Sequence, residues 1–145
     1  MVEKSGLEAW RRFLKAHAAA VGAIERDLDS AGHIPLEWYD VLVAVSNAPK
    51  GRLRLKDLGR ELVLTRSGAT RLADRLEAAR LVERRQAPDD RRGVFLTLTE
   101  LGRKSLRSAW PVYARGIRDQ FLAKLSPEEV ATLKAAMGRI AAIDE

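Results

Sequence analysis

The chain has 145 residues, 46% apolar and 32% charged, a composition typical of a single folded domain. It contains no cysteine, which excludes a disulfide scaffold, a thiolate metal site and a catalytic or redox-sensing thiol. Its longest uncharged runs have nine residues, whereas a membrane span needs about 20, and no signal-peptide pattern is present. These features predict a cytoplasmic protein without a membrane partner.

Two helices are predicted in the first third of the chain. The first extends from near Leu7 to Ser30 and ends at Gly32, and the second follows Pro35 and ends at Ala48. Apolar and aromatic side chains recur along the first helix at spacings of three and four, which predicts one continuous seam. The seam consists of Leu7, Trp10, Leu14, His17, Val21, Ile24 and Leu28.

The middle of the chain predicts a helix-turn-helix. After an extended piece at 52–54, a short helix covers 55–62, and Thr65 is the predicted N-cap of a second helix that ends near Ala79. When its residues are placed at 100° intervals around the axis, this second helix has an apolar side and a polar side. The apolar side holds Ala69, Leu72, Ala73, Leu76 and Arg80.

The opposite side of that helix carries hydroxyls, guanidiniums and a carboxylate. Such groups suit base edges and phosphates in a major groove, although an ordinary solvated face would have similar residues. The predicted DNA contacts of this recognition helix are Arg66, Ser67, Thr70, Arg71 and Arg75.

A β-hairpin is predicted next, with strands at 82–86 and 94–98 and a charged turn between them. The carboxylates of the turn do not indicate acid–base or metal chemistry, because a solvated turn offers no pocket that would shift a pKa. We expect instead that Asp90 braces Arg92 and that Arg92 enters a minor groove. The predicted DNA contacts of this wing are Arg84, Arg91 and Arg92.

Two helices are predicted at the end of the chain. Thr99 is the predicted N-cap of a helix that reaches about Lys124, and Pro111 should either bend this helix or displace its start. The run Ser126-Pro127-Glu128-Glu129 is a capping box with proline at the first helical position, so it predicts the start of the last helix.

The element order predicts a mainly α fold with a small β-hairpin wing in one domain, residues 1–145. The winged helix-turn-helix lobe covers 35–107, and helices in 6–34 and 108–145 flank it. Their apolar seams exceed what the lobe can cover, so we expect them to form a homodimer. The predicted interface consists of Leu7, Leu14, Phe121, Leu133, Met137 and Ile140.

Positive charge is concentrated in the predicted lobe. Residues 51–107 have a net charge of +7, from 15 Lys and Arg against 8 Asp and Glu, and the rest of the chain brings the total to +6. A basic block of this kind indicates nucleic-acid binding, although a solvated basic surface would have the same composition. Most of these residues are arginine, which favours bidentate contacts with phosphates or guanines.

The segments Leu64–Arg85 and Pro88–Gly102 resemble the MarR (multiple antibiotic resistance regulator) family. The resemblance lies in Ser67-x-x-Thr70-Arg71, Leu81-Val82-Glu83-Arg84-Arg85, Asp90-x-Arg92 and Leu98-Thr99-x-x-Gly102. It implies a homodimeric winged-helix regulator of transcription that binds pseudo-palindromic operators in double-stranded DNA. Many members repress neighbouring genes and are released by a small phenolic or anionic ligand. The cysteine-based oxidant sensing of one branch is excluded here.

A small-molecule effector is a second expectation. If the family arrangement brings them together, several aromatic side chains with one histidine and one aspartate would suit an aromatic or acidic ligand. Aromatic side chains at helical spacing are more often part of a core, and a histidine such as His17 more often belongs to a core or dimer interface. The candidate pocket residues are Trp10, His17, Trp38, Asp40, Trp110 and Tyr113. With two histidines in the whole chain, we expect no metal and no cofactor.

The favoured prediction is a DNA-binding repressor of nearby genes, and two other classes of function are possible alternatives. A winged-helix module for protein–protein interaction would show no sequence preference and a weak salt dependence, and the basic excess argues against it. An enzyme is not expected, because the sequence has no Gly-rich phosphate loop, no metal-ligand spacing and no nucleophile–base pair.

Overall fold

The computed structural model describes residues 1–64 and 67–143, with the backbone alone at position 87 and at positions 90–92. Helices dominate this part of the chain and three short strands lie in its middle, which confirms the predicted fold class. The elements are α1 (Lys4–Ser30), α2 (Leu36–Asn47), β1 (Arg52–Arg54), α3 (Leu58–Glu61), α4 (Ala69–Ala78), β2 (Val82–Ala87), β3 (Asp90–Leu98), α5 (Glu100–Gln120) and α6 (Pro127–Ala141).

The last two helices follow the predicted local chemistry closely. Ser126 Oγ accepts a hydrogen bond from the Glu129 N–H at 3.1 Å, and the Glu129 carboxylate accepts one from the Ser126 N–H at 3.3 Å. This confirms the capping box at the start of α6. Helix α5 continues through Pro111 and ends at Gln120, short of the predicted Lys124, and a 3-10 turn follows it.

The strands form an antiparallel sheet in the order β1–β3–β2, so the predicted hairpin has β1 as a third strand. Leu53 lies opposite Leu96, and Val82 lies opposite Leu98. Since successive side chains alternate between faces, these four share one face, and all are buried. This inner face packs with α2, α3 and α4 around one core. The core consists of Val41, Leu42, Val45, Leu53, Leu58, Leu62, Leu72, Ala73, Leu76, Leu81, Val82, Leu96 and Leu98.

The chain divides into two compact units with different cores. Leu28–Pro111 contains the core just described and is called the lobe below. Met1–Asp27 and the residues from Val112 onward form the second, here called the helical unit. Among its described residues, Ile24 is the one large apolar side chain that is buried. A Cβ on Gly116 would lie 2.6 Å from Ile24 Cγ1, so glycine permits this close approach of α5 to α1.

Candidate nucleic-acid interface

Helix α4 has a buried side and an exposed side, as predicted. Leu72, Ala73 and Leu76 are at most 5% exposed and belong to the core of the lobe. The exposed side carries Thr70, Arg71, Asp74 and Arg75. Packing fixes the orientation of the helix, so its hydroxyl and guanidinium groups are presented together to solvent. Such a surface can donate hydrogen bonds to base edges and phosphates in a major groove.

The start of α4 differs from the prediction. The helix begins at Ala69 with Gly68 as its N-cap, so the prediction that Thr65 is the N-cap is wrong. The φ angle of Gly68 is +74°, a left-handed conformation that favours glycine and cannot continue a right-handed helix. Ser67 is exposed in the turn before α4, while Thr65 and Arg66 lie outside the described residues.

The end of α4 is a Schellman motif. The Arg80 N–H donates to the Glu77 carbonyl and the Leu81 N–H donates to the Leu76 carbonyl, both at 2.9 Å. The prediction that Arg80 lies on the apolar side of the helix is wrong, because the helix has ended and the side chain is exposed. Its φ of +62° costs roughly 1 kcal/mol for a residue with a Cβ.

Thr99 joins the first turn of α5 to the end of α4. Its Oγ1 donates to the Arg80 carbonyl at 2.6 Å and accepts from the Gly102 N–H at 3.0 Å. Its own N–H donates to the Leu81 carbonyl at 3.1 Å. A Cβ on Gly102 would overlap the Leu81 carbonyl oxygen, so glycine is required for this approach. Thr99 therefore caps α5, as predicted, and also anchors the segment that leads into the wing.

Asp40 of α2 holds the turn that precedes α4. Its Oδ2 accepts hydrogen bonds from the backbone N–H groups of Val63 and Leu64, both at 2.9 Å. The sequence predicts Asp40 as a residue of a candidate ligand pocket and does not indicate this role. No local pattern could have revealed it, because the bonded groups are more than 20 residues away and belong to the backbone.

Arg84 faces α4 and not the solvent side of the wing. Its guanidinium pairs with the Asp74 carboxylate, and its Nε lies 3.6 Å from Glu77 Oε2. The Arg84 side chain is 29% exposed, compared with 67% for Arg85. The geometry does not support the prediction that Arg84 contacts DNA, because its guanidinium donates a hydrogen bond to Asp74 and its Nε lies within ion-pair distance of Glu77.

A basic cluster covers the outer face of the sheet. The guanidinium carbons of Arg52 and Arg54 lie 5.0 Å and 5.3 Å from the centre of the Phe95 ring. At these distances the ring attracts both cations and restrains their side chains. The cluster therefore presents positive charge in a defined position beside the wing.

Asp89 connects the turn of the wing to this cluster. The Arg52 guanidinium donates to both carboxylate oxygens, at 2.8 Å and 2.7 Å, and Lys50 Nζ lies 3.5 Å away. The hydrogen bonds from Arg52 and then the backbone lower the pKa of Asp89 to about 2 from its ordinary value of 3.8. The predicted brace of Arg92 by Asp90, and the side chain of Arg91, lie outside the described side chains.

The candidate pocket residues belong to both units. The helical unit contains Trp10, His17 and Tyr113, and the lobe contains Trp38, Asp40 and Trp110. Trp38 packs against the core of the lobe, whereas Trp10 and Trp110 are 56% and 51% exposed. The ligand pocket stays a prediction.

The predicted interface residues all lie in the helical unit. Four of them are exposed apolar side chains: Leu7, Leu14, Phe121 and Ile140. The other two, Leu133 and Met137 of α6, are half-buried.

Two other kinds of site have no counterpart in the described part of the chain. Among the side chains that the structure describes, no three of His, Asp or Glu are grouped so that they could hold a metal ion. Nor does any helix within residues 1–64 and 67–143 have the length and apolar composition needed to cross a membrane.

Comparison with known proteins identifies relatives along nearly the whole chain. A model of the MarR family matches residues 34–93, from the start of α2 into β3. The Bacillus subtilis protein YfiV, an uncharacterized HTH-type transcriptional regulator, is 35% identical over 125 residues, which are 84% of this chain and 74% of YfiV. These relatives are transcriptional regulators, which confirms the prediction of a regulator over an enzyme.

Solved structures share the same architecture. AbsC, a MarR family transcriptional regulator from Streptomyces coelicolor, is 30% identical with a TM-score of 0.85 over 97% of this chain and 95% of its own. Sco3205, a MarR family regulator from the same organism solved in complex with DNA, is 28% identical. Its TM-score is also 0.85, over 97% of this chain and 89% of its own.

Proposed function

Because the chain belongs to the MarR family of winged-helix transcriptional regulators, we propose that it is a homodimer that binds a pseudo-palindromic operator and represses nearby genes. The main observation in support of this proposal is the exposed side of α4, with its hydroxyl and guanidinium groups. In each protomer, Thr70, Arg71 and Arg75 would contact base edges and phosphates of one half-site. The basic cluster around Phe95 would attract the flanking DNA, because Lys50, Arg52 and Arg54 carry more charge than the one carboxylate of Asp89 neutralises.

Two relatives support the choice of DNA and of repression. Sco3205, which matches 97% of this chain, has been solved in complex with DNA. The Escherichia coli transcriptional repressor MprA is 36% identical over 73 residues, which are half of this chain and 42% of MprA. In the proposed mode, a chain bound to an operator that overlaps a promoter would repress by excluding the polymerase from that site.

The small core of the helical unit supports the homodimer. One buried large apolar side chain, Ile24, is too little to hold the described part of that unit folded in water. Exposed apolar side chains on α1, α6 and the end of α5 would be covered by the same elements of a second copy. A two-fold dimer would also place two α4 helices on the two halves of a pseudo-palindrome.

A titration with DNA tests the proposed function. Duplex DNA from upstream of the gene and a scrambled duplex are titrated at two salt concentrations. We expect a preference of about 10³ or more for the native duplex and a steep salt dependence. Equal, weak binding to both duplexes with a shallow salt dependence would instead favour the protein–protein interaction module.

Substitution of Arg71 tests the role of α4. Arg71→Ala should weaken binding to the operator by about 1–3 kcal/mol, and by clearly less on scrambled DNA. Arg139→Ala, which removes an exposed arginine of α6 in the helical unit, is the matched control. It should change the affinity for neither the operator nor the scrambled DNA. An equal loss on both duplexes would contradict base reading by Arg71.

Light scattering tests the homodimer. The wild-type chain should have the mass of two copies, and Leu14→Glu should yield monomers or unfolded chains, because a charge would replace a buried interface group. Val94→Glu, which changes a similarly exposed apolar residue of the lobe, should remain dimeric. A stable wild-type monomer would overturn the proposed assembly.

A further inference from the structure

We infer that Arg84 is a positioning residue for DNA binding, which couples the wing to α4 and offsets the acidic side chains of that helix. This inference rests on the proposed DNA-binding function. It assigns to Arg84 a role different from the direct DNA contact that the sequence suggested.

The register of the sheet explains why Arg84 meets α4. Arg84 lies opposite Leu96, two residues after Val82, which lies opposite Leu98. Because side chains alternate along a strand, Arg84 shares the inner face with these buried residues. The neighbouring Arg85 is opposite Phe95 on the outer face, where it pairs with Glu83. Arg84 is thus a charged residue on the face of the sheet that packs against the helices of the lobe.

Two carboxylates of α4 receive the Arg84 guanidinium. Asp74 and Glu77 are three residues apart, so they lie on the same side of the helix. Both are about half exposed, whereas Arg84 is mostly covered. Its terminal nitrogen donates a hydrogen bond to Asp74, and its buried Nε makes no hydrogen bond but lies 3.6 Å from the Glu77 carboxylate. A guanidinium held in this way cannot extend to a DNA phosphate unless both ion pairs break.

The charge of α4 depends on this contact. Arg71 and Arg75 supply two positive charges, and Asp74 and Glu77 supply two negative charges at the same helix. Without Arg84 the two carboxylates would lose the cation that lies against them, and Arg71 and Arg75 alone would have to offset their repulsion from a phosphate backbone. With Arg84 in place, the exposed arginines determine the local potential, and the recognition helix and the wing are tied together.

A mutant cycle distinguishes positioning from direct contact. The operator affinities of the wild type, Arg84→Ala, the Asp74→Asn/Glu77→Gln pair and the triple variant are measured at two salt concentrations. We expect Arg84→Ala to lose about tenfold in operator affinity and the same change in the neutralised background to lose almost nothing. The salt slope should not decrease with Arg84→Ala, whereas loss of a phosphate contact would lower it by about 1.

A direct contact between Arg84 and DNA would give a different result. A loss of affinity that is the same in both backgrounds, with a smaller salt slope, would overturn the inference and restore Arg84 as a DNA contact. Arg75→Ala is the matched control, since it should lower the salt slope whether or not the carboxylates are present.

A stability measurement keeps the inference testable even if the wild-type chain binds no DNA. The same four variants are unfolded in urea at equal chain concentration. We expect Arg84→Ala to lower the unfolding midpoint only while Asp74 and Glu77 are charged. Additive effects would show that the three side chains are not coupled and would overturn the inference independently of the proposed function.

Discussion

Gly102→Ala should strongly destabilise the lobe. The new Cβ would overlap the Leu81 carbonyl oxygen and lie 3.1 Å from its carbonyl carbon. Since carbon–oxygen contacts normally begin at about 3.3 Å, the backbone would have to retreat by on the order of 1 Å. Such overpacking costs about 1–3 kcal/mol, and the obstacle here is backbone, so the upper part of that range applies.

The retreat would also disturb a hydrogen bond. The Leu81 carbonyl accepts from the Thr99 N–H at 3.1 Å, a bond worth about 1 kcal/mol. Alanine is favoured over glycine in a helix by at most about 1 kcal/mol, which offsets the lost bond. We therefore expect Gly102→Ala to lower the free energy of unfolding by about 3 kcal/mol, or the Tm by roughly 10 °C.

Urea and thermal unfolding at equal chain concentration measure this change. The matched control is Gly138→Ala in α6, where a Cβ would have no neighbour within 4 Å. That substitution should leave stability unchanged or raise it by up to about 1 kcal/mol. If Gly102→Ala were as stable as Gly138→Ala, the close approach of α5 to the Leu81 carbonyl would not exist in solution.

Two further predictions concern the segments around α4. Asp40→Ala should lower the free energy of unfolding by about 2 kcal/mol and weaken operator binding, because two N–H groups lose a charged acceptor. Asp40→Asn, which retains an acceptor, should do about half as much, and equal effects of the two variants in urea unfolding would refute this role. The lowered pKa of Asp89 means that its pair with Arg52 stabilises the wing above about pH 4 and is lost as pH falls toward 2. In carboxyl NMR, wild-type Asp89 should stay ionised from pH 6 to 3. In Arg52→Gln its pKa should rise toward the ordinary value, and ordinary titration in the wild type would show that the pair does not form.

Elements with strong local signals were predicted well from the sequence. The capping box at Ser126 depends on residues within one turn, so its geometry follows from the sequence alone. The apolar period of Leu72, Ala73 and Leu76 identified the buried side of α4 for the same reason.

The start of α4 could not be read in this way. Thr65 is a good N-cap by residue type, so the sequence favours a start there. The left-handed φ of Gly68 ends the turn before α4, and a glycine gives no sign of which conformation it adopts.

Long-range pairing limited the prediction of the interface. The face on which Arg84 lies depends on the register of β2 against β3, and a shift of one residue would reverse it. The contact between Arg52 and Asp89 joins residues 37 apart in the chain, which no local pattern reports. The Asp40 contact is hidden for the same reason, because its partners are main-chain groups.

The left-handed conformation of Arg80 has a consequence for the evolution of this regulator. Arg80→Gly would release the roughly 1 kcal/mol that the Cβ costs at this position, and the Thr99 bond to the residue 80 carbonyl would remain. In the proposed mode of binding, new base preferences require changes on the exposed side of α4, and most substitutions reduce stability. A chain with glycine at this position would therefore tolerate one more such change, and is a suitable parent for variants directed to new operators.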